Sequence, residues 1–319
     1  MRIFHGSKTM ILCAGEALID MLPRLSQANE PAFAPVAGGS VFNTAIALGR
    51  LGTPVRFFTG LSTDLFGMRL EAALAESGVD AALAARADRP TTLAFVELVD
   101  GHAKYAFYDE NTAGRMLAPA DLPAPAALHD VAALFFGGIS LVVEPCASAY
   151  EALALREAAG KLVMLDPNIR PSFIRDEAAY RARIGRMLAV ADIVKVSDED
   201  LEWIVGPGTL AAQAEKLRAM GPVLVCVTRG KDGVTAFRDG APVEVASTPV
   251  EVVDTVGAGD TFNAGVLAGL ARAGKLAKSA VPGLMDEEIA VALDLGARAA
   301  AITVSRAGAN PPTAAELDL

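Results

Sequence analysis

The chain has 319 residues, 52% of them hydrophobic, with 28 basic and 38 acidic side chains and a formal charge of −10. A chain of this length buries a substantial core without disulfide or metal staples, and its low aromatic content, 6%, suits a helix-rich α/β enzyme better than a sandwich or repeat array. The acidity excludes a nucleic-acid binder, whose footprint is a basic stripe.

At the N-terminus, Met1-Arg2 and Gly6-Ser7-Lys8 are followed by one short apolar run, Met10–Ala14, and then Glu16. That run is too short for a secretory h-region or a spanning helix, so a soluble cytoplasmic protein with no membrane partner is expected. Further along, short apolar runs alternate with longer segments of helical period. Strands are predicted at Met10–Cys13, Val55–Thr59, Ala133–Phe136, Leu162–Leu165, Ile193–Val196 and Val223–Val227. Helices are predicted at Val41–Leu51, Leu65–Ser77, Ala147–Ala159, Glu177–Val190, Leu210–Met220, Thr261–Ala273 and Asp286–Ala301. The alternation predicts a central, mostly parallel sheet flanked by helices, with ligands at the carboxyl ends of the strands.

Two stretches break the pattern. Leu93–Val99 and Ala103–Phe107 flank Asp100-Gly101, a preferred hairpin dipeptide. Met21–Leu25 and Ala32–Val36 pair in the same manner across a polar loop. The expectation is one domain over 1–319 with a small β-sheet lid from about 20–37 and 91–110; Pro119–Pro125 is the linker if the chain divides. Cys13, Cys146 and Cys226 are widely spaced in apolar stretches and read as buried, inert thiols. His5, His102 and His129 show no ligand spacing.

The most informative segment is Asp254-Thr255-Val256-Gly257-Ala258-Gly259-Asp260, which follows the β-prone run Val250–Val253 and enters a helix. Small residues at a helix start let backbone N–H groups surround an anion. A carboxylate inside such a cradle would repel phosphate unless it accepts the proton of an attacking hydroxyl. The same aspartate is also read as a helix cap, and from this segment alone both readings stand. The chain's G-x-x-x-x-G-K match, Gly269–Lys275, ends in Leu276 and falls at the close of a helix, so it is not a phosphate-binding loop. No G-x-G-x-x-G opens the chain, which removes a nicotinamide-binding reading.

Taken with Gly38-Gly39-Ser40 and Asn43, the Gly257–Asp260 motif resembles the two signature regions of the ribokinase-like carbohydrate kinases. The resemblance runs from Gly15-Glu16-Ala17-Leu18-Ile19-Asp20 to Gly308-Ala309. It is greatest to bacterial fructokinases, through Phe107–Ala113, Asp166-Pro167-Asn168-Ile169-Arg170 and Lys195–Asp200. It implies a ribokinase-like three-layer fold and transfer of phosphate from ATP to a sugar, with Mg²⁺ bridging the phosphates. Asp260 would be the general base and Gly257, Ala258 and Gly259 the anion hole.

Asp20, taken to end the first strand, would hold sugar hydroxyls together with Gly38, Gly39 and Asn43; a helix-capping turn at Ser40 is compatible with this. Tyr105 and Phe107 alternate onto one side of the hairpin, where they stack on the sugar or pack within the lid. Asn168 and Arg170 would lie near sugar and phosphates, or form a structural ion pair. Thr228, Gly230 and Gly233 would border ATP.

The chain departs from the family's N-x-x-E motif, with Ser197 and Asp200 at those positions. Asp200 would order metal-bound water, and Lys195 would take over from the lost amide. Asp254, the Val256 carbonyl and groups around Thr303, Arg306 and Gly308 mark the place where some relatives hold a monovalent cation such as K⁺. The alternatives are a kinase for 2-keto-3-deoxygluconate or another sugar, and a non-catalytic sugar or nucleotide sensor. A homodimer through the lid is also expected.

Overall fold

The computed structural model describes residues 10–99 and 102–319, with side chains outside 96–105. Strand β1 (Met10–Ala14) is followed by a hairpin, β2 (Leu18–Leu25) and β3 (Pro31–Gly38), then helix α1 (Ser40–Arg50) and β4 (Val55–Phe58). Next come β5 (Gly60–Ser62), α2 (Leu65–Glu76), β6 (Ala85–Ala87) and a second hairpin, β7 (Leu93–Val99) and β8 (His102–Tyr108). The alternation resumes with β9 (Val131–Gly137), α3 (Cys146–Glu157), β10 (Leu162–Asp166), α4 (Glu177–Leu188) and β11 (Ile193–Ser197). Then follow α5 (Asp198–Val205), α6 (Leu210–Arg218), β12 (Leu224–Thr228), β13 (Val234–Phe237), β14 (Val243–Val245), α7 (Ala258–Arg272) and α8 (Asp286–Val304).

Eight strands form the central sheet in the order β14-β13-β12-β11-β10-β9-β1-β4. Six are parallel, and β13 and β14 close one edge antiparallel. Every residue of β9 and β10 is buried, as expected of strands covered on both faces. Alternation in β1 divides the core: Ile11 and Cys13 join α1, α2, α7 and α8, whereas Leu12 and Ala14 join α3 to α6. All three cysteines are buried and free, and burial pushes the Cys146 and Cys226 thiols up to about 12.

The two hairpins combine into one four-stranded sheet, β3-β2-β7-β8, through a parallel β2–β7 pairing that the sequence did not suggest. This sheet is the lid; the Asp100-Gly101 turn of its second hairpin lies outside the described residues. The structure departs from the sequence reading at three places. Val250–Val253 is not a strand, since no neighbouring strand offers it a ladder and Val252 and Val253 are about 60% exposed. Asp20 does not end the first strand but sits inside β2, on the lid. Helix α5 goes unpredicted although Ser197 caps it, accepting from the Asp200 amide at 3.0 Å. Among the described residues no helix is long and apolar enough to cross a membrane.

Helix α7 carries the glycine-rich turn to its place. A Cβ on Gly265 would meet Gly296 Cα at 2.5 Å, and one on Gly269 would meet Ala292 Cα at 2.7 Å. Small residues therefore let α7 and α8 approach backbone to backbone.

Candidate active site

Gly257 is the N-cap of α7 with φ 79°, the left-handed region that glycine adopts without strain. The helix starts at Ala258, earlier than the predicted Thr261, so Asp260 lies in its first turn. Among the described residues the amides of Gly257, Gly259 and Asp260 have no acceptor, leaving a set of donors at the positive end of a helix dipole. The Asp260 side chain does not cap the helix. Its Oδ1 accepts from Ser40 Oγ at 2.7 Å and its Oδ2 from Asn43 Nδ2 at 2.9 Å. Ser40 is likewise not a capping side chain: Gly39 is the N-cap of α1, and the Ser40 hydroxyl is spent on Asp260.

These bonds belong to a buried network. Ser40 Oγ accepts from Asn168 Nδ2 at 2.8 Å, and the Asn168 amide donates to Asp166 Oδ1 at 3.1 Å. Asp166 Oδ2 accepts from Lys195 Nζ at 3.1 Å and Asn263 Nδ2 at 2.7 Å. Asn168 holds φ 44°, a left-handed conformation that Asn tolerates better than most side chains. Glu16 joins the strand ends, accepting from Ser40 N at 2.9 Å and Ser140 N at 3.3 Å.

Two cavities meet at the glycine turn, and Thr255, Ala258 and Gly259 line both. The smaller, about 280 Å³, is walled by Asp20, Gly39, Asn43, Phe107, Asn168, Arg170, Lys195 and Asp260, with Glu16 at its edge. Phe107 packs at a tilt against Phe173 with centroids 4.7 Å apart, whereas the Tyr105 side chain lies outside the described residues. Gly38 closes β3 beside Asp20; a Cβ there would come within 2.2 Å of Asp20 Oδ2. The larger cavity, about 410 Å³, is walled by Thr228, Gly230, Gly233, Val250, Val252 and the Ala297–Val304 end of α8.

The carboxylates are tuned. Burial pushes Asp260 up to about 6 against the opposing hydrogen bonds from Asn43 and Ser40. Burial and the Asp260 charge push Asp20 up to about 7, and burial raises Glu16. Lys195 is held above the usual ammonium range: burial pulls it down, but the charge and hydrogen bond of Asp166 outweigh that.

Not every expected residue reaches the cavities. Ser197 is occupied as the α5 cap, and Asp200 is buried with Oδ1 facing the Ile169 amide at 3.3 Å; neither lines a cavity wall. Asp254 clamps the glycine turn to the C-terminal loop, accepting from Val256 N at 3.0 Å and Gly308 N at 2.9 Å. Thr303 lies behind it, bonded to Thr261. The Arg306 guanidinium turns away to Glu316, so only its backbone stays near. Glu16, Asp166, Ser40 and Asn263 gain roles that the sequence left unassigned. A charged or amide residue closing an apolar run marks two of them, Glu16 after β1 and Asp166 ending β10.

A carboxylate among free amides, at the junction of a polar and an apolar cavity, is the equipment for transferring a phosphoryl group to a hydroxyl. The chain belongs to the pfkB family of carbohydrate kinases, whose model matches residues 8–316. Within that family it is 52% identical over 280 residues to the fructokinase of Rhizobium leguminosarum bv. trifolii, covering 88% of this chain and 85% of that one. Its fold matches the crystal structure of a Xylella fastidiosa fructokinase with bound ATP, with a TM-score of 0.86 and 32% identity over 95% of this chain and 94% of that one. It also matches a fructokinase double mutant from Vibrio cholerae O395 in a form binding fructose, ADP and potassium ion, with a TM-score of 0.82 and 24% identity over 95% and 94%. The family and fold expected from the motifs are borne out.

Proposed function

We propose that the protein phosphorylates D-fructose, passing the γ-phosphoryl group of ATP to the sugar's primary hydroxyl to give fructose 6-phosphate and ADP. The observation that carries this is Asp260, whose two oxygens are oriented by Ser40 and Asn43 beside unpaired amides at the start of α7. A carboxylate keeps further lone pairs after accepting those two bonds, so it takes the hydroxyl proton as the oxygen attacks phosphorus. The amides of Gly257, Gly259 and Asp260 hold the charge on the transferring group. Asp20, Asn43, Phe107 and Asn168 surround the sugar, and Arg170 faces sugar and phosphate together. Thr228, Gly230 and Gly233 border the nucleotide, whose base enters the apolar wall at Val250 and Ala297.

Mg²⁺ is expected to enter with ATP, where it neutralises the β- and γ-phosphates. Among the described residues no cluster of three or more acidic, His or Cys side chains exists to hold a metal unaided. Asp200 would act on such an ion only through its charge, since it lines neither cavity. A monovalent cation would be held beside Asp254 and the Val256 carbonyl, hard oxygen ligands next to the glycine turn. The lid covers the sugar over the single domain 1–319. It also presents Leu25, Phe33 and Tyr108, each 49–67% exposed, with Phe33 and Tyr108 packed edge-on against Phe95; a second copy of the chain is the expected partner for that patch.

Arg170 gives a sugar acid such as 2-keto-3-deoxygluconate a specific reason to bind, because its guanidinium lines the cavity with Ile169 O as its bonded partner. A panel of fructose, ribose, 2-keto-3-deoxygluconate and adenosine with Mg-ATP separates the readings. Fructose is expected to give the highest kcat/KM. A sugar acid ahead of fructose reassigns the substrate, and ligand-induced stabilisation without ADP formation means a sensor.

A further inference from the structure

Lys195 is 5% exposed, and its ammonium donates to Asp166 Oδ2 at 3.1 Å. Among the described residues it engages no other acceptor, which leaves two of its three N–H groups unspent. The fully buried Asp166 is fixed from other directions by Asn263 and by the Asn168 amide. On the opposite side the ammonium lies against the glycine turn, where a Cβ on Gly259 would stand 2.9 Å from Nζ. Burying such an ion pair contributes little to stability, because apolar side chains of the same volume fill the space as well. Its position beside the anion-binding amides gives it a chemical purpose.

We infer that Lys195 is a catalytic residue that donates to a non-bridging oxygen of the transferring phosphoryl group, and that Asp166 and Asn263 are positioning residues that hold it there. The inference rests on the sugar-kinase reading of the site. During transfer the bond from the sugar oxygen to Pγ forms and the bond from Pγ to the β–γ bridging oxygen breaks. ADP leaves with that electron pair, the hydroxyl proton passes to Asp260, and Lys195 keeps its own protons throughout. The ammonium offsets charge on the equatorial oxygens, together with the backbone amides it lies beside.

A second consequence separates this role from simple packing. The charged groups facing Asp260 are Asp20 on β2, Asp166 at the end of β10 and Lys195 on β11, with Arg170 and Glu16 on the same cavity wall. Lys195 favours the Asp260 carboxylate and Asp166 opposes it, so removing either charge moves the titration of the base in opposite directions.

The test is steady-state kinetics of the full chain with Mg-ATP and D-fructose across roughly pH 5–9, with thermal melts alongside. The wild type is expected to lose kcat/KM as pH falls through about 6. Lys195→Met is expected to lower kcat by about 10²–10³-fold while fructose KM changes by less than about 3-fold. Its acid limb should move up by roughly half a unit or more, and that of Asp166→Asn should move down. Because Lys195→Met leaves the buried Asp166 without its cationic partner, the double variant Lys195→Met/Asp166→Asn, which buries no charge at this position, decides the matter if the single variant does not fold. It is expected to melt cooperatively and to remain as slow as Lys195→Met. A kcat within about 3-fold of wild type in either Lys195 variant, or acid limbs that do not move, overturns the inference while the kinase reading stands. A wild type inert on every sugar overturns both.

Discussion

Asp20 has no hydrogen-bond partner among the described residues, and burial together with the Asp260 charge pushes its carboxyl up to about 7. A carboxyl raised in the folded state contributes stability that is complete below its unfolded value, near 4, and lost as pH rises through about 7. Asp20→Asn is therefore expected to raise the Tm at pH 8 by at least ~2 °C, with the gain vanishing near pH 4. The same change removes an acceptor for sugar hydroxyls and should raise fructose KM by about 10-fold or more. A variant that is less stable than wild type at pH 8, or unchanged in KM, contradicts this placing. At this scale the sequence disclosed the residues whose chemistry is local to a motif. Asp260 stood out because a carboxylate is conspicuous inside a glycine-lined helix start. Ser40 did not, because its partners, Asp260 and Asn168, are 220 and 128 positions away, and only folding brings them together. Glu16 and Asp166 were visible as acids ending apolar runs, but their partners were not.

Among the elements, α7 and α8 set the position of Asp260, the proposed base. Gly265 lies so close to Gly296 that any side chain there must separate the helices. Gly265→Leu is expected to cost about 1–3 kcal/mol or more in a denaturation experiment and to lower kcat further than fructose KM, because shifting α7 moves Asp260 and the amides together. An unaltered kcat in that variant would mean that the turn is positioned from the Asp254 clamp alone. The alternating strands and helices of the main sheet were legible from period and length, and both lid hairpins from their turn residues. The parallel join between those hairpins was not, since strand pairing across 74 positions, as from Ile19 to Leu93, leaves no local trace. Val250–Val253 misled because β-branched residues favour strands only where a partner edge exists. Here they form an apolar wall beside the larger cavity instead.

For the molecule as a whole, the charge of −10 describes the outer surface, and the chemistry is local. Arg170, Lys195 and the α7 amides face a cavity that Asp20 and Asp260 also line, with Asp166 buried behind Lys195, so the nucleotide of the proposed reaction would meet donors within an acidic protein. The lid adds an exposed aromatic patch. Light scattering is expected to give about twice the 33.0 kDa chain mass, and Phe33→Asp with Tyr108→Lys should return it to a monomer; a monomeric wild type would leave the patch to the sugar alone.

The most direct measurement is the turnover of D-fructose by Asp260→Asn at pH 8 with saturating Mg-ATP, beside the wild type. Losing the base while keeping its shape and one acceptor oxygen for Asn43 or Ser40 is expected to lower kcat by about 10²–10⁴-fold, with fructose KM little changed. A kcat near that of wild type would contradict Asp260 as the proton acceptor.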